Sequence, residues 1–148
     1  MKKVNWMPIL LIVFAVTATY VACLPNGVAV YDLAQSKEAF YCSYFNLLED
    51  VNFSISLPLA ALGACVNLMT ASIYVVAKKQ KMLSFMQLIS MASAVLAVVP
   101  ILMKDPVIMV VPNVLLPIAL FGVCGVAHSL EKKNTPPEAV KLSGKRKK

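Results

Sequence analysis

Four apolar stretches dominate this chain: Trp6 to Leu24, Ser54 to Ala77, Leu83 to Met103 and Val107 to Ala127. A helix rises about 1.5 Å per residue, so ~20 mostly apolar residues cross the ~30 Å hydrocarbon core of a bilayer. Each stretch meets that requirement. Of 148 residues, 59% are hydrophobic and 14% charged, and the mean hydropathy is +0.76. A soluble domain carries about 25% charged residues, so the composition excludes a water-soluble globule. The expectation is an all-α membrane protein of four transmembrane helices.

Charge sets the orientation. All but two of the 14 Lys and Arg residues precede the first stretch, separate the second from the third, or follow the fourth. The exceptions, Lys37 and Lys104, share the other side with Asp32, Glu38, Glu49, Asp50 and Asp105. Basic residues concentrate in cytoplasmic loops, which predicts an N-in/C-in, multi-pass protein of the plasma membrane. The net charge of +7 is therefore explained by orientation, and no nucleic-acid partner is implied. Residues 1–130 are expected to form the transmembrane domain and residues 131–148 a disordered basic cytoplasmic tail. Lys78, Lys79, Lys81, Lys145, Arg146, Lys147 and Lys148 would lie against lipid headgroups.

The outer loop, residues 25–53, opens on the turn signal Pro25-Asn26-Gly27. Beyond it, Asp32 and Gln35 occupy the positions of a capping box, and Tyr41, Tyr44, Leu48 and Val51 recur at helical spacing. A short interfacial helix is expected there, with its aromatic rings at headgroup level. Cys23 and Cys42 both fall outside, where an oxidising compartment would allow a disulfide.

The second stretch carries a small and polar stripe of Ser56, Ala60, Gly63, Asn67, Thr70 and Tyr74 at alternating spacings of four and three. Lipid supplies no hydrophobic drive for helix association, so such faces are how membrane helices approach closely. The third stretch offers a matching face in Ser90, Ala94 and Ala97, with Ser93 beside it, and Ser84 as a cap. Pro100 and Pro117 each withhold an N–H from a carbonyl four residues earlier, and a carbonyl freed in hydrocarbon needs a donor. Counted from the lysine turn, Asn67, Ser93 and Pro117 should be level, so Asn67 is expected to bond Ser93 or a carbonyl near Pro117. Gln87 and Asn113 are staggered from them by more than a turn, unlike an ion-coordinating ring.

Chemistry has little footing. All seven Asp and Glu fall in loops or the tail, which argues against a proton- or ion-coupled transporter. The chain has one histidine, His128, read as a favourable charge at a helix C-terminus, and lacks Cys-x-x-Cys, Ser/His/Asp and glycine-rich phosphate signatures. No enzyme activity, cofactor or metal is expected. The loop order resembles that of claudin-type tetraspan proteins, but their first-loop Trp-Gly-Leu-Trp and paired-Cys signature is missing. The lone Trp is Trp6. No family follows. Two roles remain: a non-enzymatic accessory, regulatory or scaffolding subunit that meets a membrane-protein partner or a second copy through helix packing and its outer loop, or an oligomeric small channel, holin-like pore or transporter subunit.

Overall fold

The computed structural model describes residues 6–31, 39–45, 55–102, 107–108 and 111–134. Four helices make up most of this: α1 (Met7–Ala22), α2 (Ser56–Ala77), α3 (Gln80–Leu102) and α4 (Val111–Asn134). Three of them, α2, α3 and α4, are long and apolar enough to cross a membrane, and α1 is a shorter apolar helix of 16 residues. Helix α3 packs on α2 and α4, and α1 closes the bundle against the same two helices.

One expectation is overturned in the first loop. In its described part the chain forms strands, β1 (Val28–Tyr31) and β2 (Ala39–Cys42), in antiparallel register from Val28 opposite Cys42 to Tyr31 opposite Ala39. A third strand, β3 (Val107–Ile108), pairs antiparallel with β1 and gives the sheet order β2-β1-β3. The described residues are thus almost entirely helical, with this small sheet at one end. The reason is local: Val-Ala-Val-Tyr and Ala-Phe-Tyr-Cys are rich in β-branched and aromatic residues, which suit a pleated surface, and β3 supplies an edge to pair with. Asp32 and Gln35 lie outside the described residues. So do Lys104, Asp105 and the segment 135–148 with its basic cluster.

Helix boundaries also shift. Helix α3 starts at Gln80, three residues before Leu83, so the connection to α2 is Lys78 and Lys79 alone. Lys78 ends α2 in the left-handed conformation, φ 51°, and its N–H bonds the Tyr74 carbonyl at 2.7 Å. Ser84 therefore caps nothing. Helix α4 runs on past Ala127 and His128 to Asn134, with Lys132 and Lys133 in its last turn, where cations suit the helix dipole.

The core divides along the bundle axis. Around the sheet it consists mostly of alanine, at 18, 22, 60, 61, 64, 94, 97 and 119, with Val28, Tyr44, Leu57, Leu116 and Leu120. Around the lysine turn it is built from larger side chains, Leu11, Tyr74, Leu83, Met86, Val123 and Leu130, with Ala15, Ala71 and Ala127. We refer to the sheet end and the lysine end accordingly. Outward, α1 to α4 present Ile9, Val13, Met69, Val76, Leu88, Val95, Ile118 and Phe121 among other exposed apolar residues.

Candidate functional site

Polar contacts mark three levels of the bundle. At the sheet end, Leu24 to Gly27 forms the expected turn, with the Gly27 N–H donating to the Leu24 carbonyl at 3.2 Å. A Cβ on Gly27 would lie 3.0 Å from Tyr44 Cε2, so glycine lets the ring press against the turn. The fully buried Tyr44 hydroxyl then donates to Asn113 Oδ1 of α4 at 2.8 Å. Burial pushes this phenol well above its ordinary range, which keeps it a donor at any physiological pH. Tyr41, one of the expected interfacial aromatics, is instead exposed on β2. Cys23 is exposed and Cys42 half-buried, and no disulfide joins them here.

At mid-bundle the stripe of α2 turns inward. Ser56, Ala60, Asn67, Thr70 and Tyr74 are buried, as are Ser90, Ser93, Ala94 and Ala97 on α3 and Pro117 on α4. Gly63 is the point of closest approach: a Cβ there would fall 1.8 Å from Ser93 Oγ and 2.9 Å from Ser93 Cβ. Ser93 is therefore level with Gly63, one turn from Asn67. The early start of α3 causes this slip. Counting from the true helix ends, Asn67 is ten residues before Ala77 and Ser90 ten after Gln80, so these two are level.

They separate the alanine-rich half of the core from the larger-side-chain half. The expected pairing of Asn67 with Ser93 or a carbonyl near Pro117 is not made: Asn67 Oδ1 and Nδ2 and Ser90 Oγ have no hydrogen-bond partner among the described residues. At this level a bond between helices is made by Thr19 of α1. Its Oγ1 donates to the Ala64 carbonyl of α2 at 3.2 Å and to its own helix at Ala15, 3.0 Å. Between α1 and α4, Gly122 accepts the Phe14 ring, whose Cδ1 would lie 2.6 Å from an added Cβ.

At the lysine end, Glu131 joins α4 to α3. Ser84 Oγ donates to its Oε1 and Gln87 Nε2 to its Oε2, each at 2.5 Å. Asn134 Nδ2 donates to the Tyr74 hydroxyl at 3.2 Å, joining α4 to α2. Beside this contact opens a cleft of about 540 Å³ lined by Pro8, Tyr74, Val75, Lys78, Gln80, Leu130 and Asn134. Lys78, Lys79 and Lys81 are exposed around it, and Lys145, Arg146, Lys147 and Lys148 lie outside the described residues. Sequence reasoning missed Glu131, Thr19 and Gly122 as contact residues. The signal available for Glu131 was that it follows the fourth apolar stretch without a helix breaker, so the helix can run on to carry it.

No three His, Cys, Asp or Glu side chains converge among the described residues as a metal set would require. Comparison with protein-family models, with curated proteins and with solved structures returns no match.

Proposed function

We propose that this chain is a four-span membrane protein with both termini in the cytoplasm of a plasma-membrane cell surface, acting as a non-enzymatic accessory or scaffolding subunit. The observation that carries the reading is the direction of its polar side chains. The stripe from Ser56 to Tyr74 is spent on packing inside the bundle, and the outward faces of the four helices are predominantly apolar, with the exposed hydroxyls of Thr17 and Ser72 bonded to carbonyls of their own helices. Such a body offers lipid or a partner helix a greasy surface, and offers water only its two ends. Supporting a span for α1, its core residues Leu11, Ala15, Ala18 and Val21 follow the bundle from one half of the core to the other. Trp6 and Tyr20, each 66% exposed, stand near its two ends, as interfacial aromatics do. The charge bias across the loops supports the orientation. Tyr41 and the sheet would be the outer contact surface, and the lysine end would face anionic headgroups.

The test is purification of the full chain in mild detergent with identification of what stays bound. A stoichiometric heteromer lost on Tyr41→Ser supports the accessory role. A homo-oligomer that conducts in planar bilayers favours the alternative of a small pore or transporter subunit and overturns it. Replacing Lys78, Lys79 and Lys81 by Glu should scramble a cysteine-accessibility map of the loops. An unchanged map would overturn the orientation.

A further inference from the structure

The cleft at the lysine end combines features that a solvated helix end does not require. Its volume of about 540 Å³ lies within the ~300–1,000 Å³ of small-molecule sites. Its walls are divided by chemistry: Pro8, Val75 and Leu130 are apolar, whereas Lys78, Gln80 and Asn134 bring a cation and two amides. Among the described residues no carboxylate lines it. Glu131, one residue from Leu130, has both oxygens engaged by Ser84 and Gln87 on the α3 side.

Lys78 adds an independent clue. It is the one non-glycine residue with positive φ among the described residues, at a helix end where glycine or asparagine is the usual occupant. A lysine there carries a conformational cost of ~1 kcal/mol, which glycine would avoid. That position puts Lys78 on the cleft wall. The exposed Lys79, Lys81, Lys132 and Lys133 around the same end add to the positive field without lining the cleft.

We infer that this cleft binds the phosphate-bearing headgroup of one anionic phospholipid, with Lys78 as the counter-charge, Gln80 and Asn134 as polar contacts, and Pro8, Val75 and Leu130 against the start of an acyl chain. The inference needs only that the bundle sits in a membrane, so it stands or falls apart from the accessory role. An amphiphile fits better than a free anion because half of the wall is apolar, and burying that wall is worthwhile only for a ligand with hydrocarbon attached.

The test uses the full chain, read by native mass spectrometry for retained lipid and by melting temperature in nanodiscs. Phosphatidylglycerol is compared with phosphatidylcholine, and inorganic phosphate serves as soluble competitor. One retained phosphatidylglycerol per chain is expected, with a higher melting temperature than in phosphatidylcholine. Lys78→Asn keeps a residue that accepts left-handed backbone and removes the charge. It should weaken retention roughly fivefold, the equivalent of about 1 kcal/mol per basic group at a membrane surface.

Val75→Trp should do the same by filling the cleft with every lysine in place. A Lys132→Gln, Lys133→Gln double variant should change retention less than either. Equal losses in all three variants would mean diffuse attraction to the surface and overturn the site. Equal retention of both lipids would also overturn it, and so would displacement by millimolar phosphate, which would identify a free-anion site. Melting in phosphatidylcholine separates loss of the site from loss of the fold, because Lys78→Asn and Val75→Trp should leave it within a few degrees.

Discussion

The two halves of the bundle solve the same packing problem in opposite ways. Around the sheet, alanines bring the helix backbones together, and the Tyr44 bond to Asn113 seals the turn after β2 onto α4. Around the lysine turn, Leu83, Met86, Tyr74 and Leu130 fill the space between the helices, and the end is left with a cleft. Small side chains permit close approach and large ones enforce distance. The contrast teaches that the sheet end is built to be sealed and the lysine end to stay accessible.

The strongest way to break this comparison is to exchange the two packing styles. Leu83→Ala, in the lysine half, should destabilise the detergent-solubilised protein by about 2–5 kcal/mol, because the cavity it leaves can only partly collapse. The reverse change in the sheet half, Ala64→Leu, should cost about 1–3 kcal/mol by overpacking. It should also break the Thr19 contact to the Ala64 carbonyl by pushing α1 from α2. Reversible unfolding in a mild denaturing detergent measures both. If Ala64→Leu proved neutral, the sheet half would not be closely packed.

The seal itself is tested by Tyr44→Phe. The ring stays, and Asn113 Oδ1 loses the hydroxyl that donates to it at 2.8 Å. Losing this buried hydrogen bond should cost about 0.5–1.5 kcal/mol, and hydrogen exchange of the β1 and β2 amides should accelerate with it. Stability lost without faster exchange would place the effect in the helices rather than in the seal.

These contrasts were legible in the sequence to unequal degrees. Helix existence was clear because apolar runs of this length have few alternatives, and the stripe from Ser56 to Tyr74 occupies the face that the structure buries. The strands were missed because Tyr41 and Tyr44 satisfy helical spacing, whereas Tyr41 pairs with Ala29 of β1, whose other partner, Val107-Ile108, lies far along the chain. The start of α3 was misplaced because lysine and glutamine read as a polar turn, although both are good helix formers. That error slid the register by a turn and paired Asn67 with the wrong serine. Glu131 was read as part of a solvated tail because its two donors come from another helix. The cleft depends on how four helix ends come together, which no local pattern encodes.

Between the halves lies the pair Asn67 and Ser90, whose side-chain polar atoms find no partner among the described residues. A buried amide without partners costs stability. Asn67→Leu, of similar volume, should therefore raise stability by about 1 kcal/mol and fuse the two apolar clusters into one. A loss of stability instead would show that the amide is bonded in the membrane, and the division of the core at this level would then be held by that bond.

The smallest effect is expected at Glu131, and it bears on what holds the lysine end in shape beside an open cleft. Its two oxygens accept from Ser84 and Gln87, both neutral donors near the surface, so the contact should contribute only about 0.5–1 kcal/mol. Glu131→Gln turns one acceptor into a donor facing the Gln87 amide, and should lose about half of that. Combining it with Gln87→Glu reverses the polarity of the pair, and the new carboxylate accepts from the new amide. If geometry is what matters, the double variant should recover the lost stability. If it does not, the negative charge of Glu131 itself holds α4 against α3, and the lysines clustered at this end are the source of its hold.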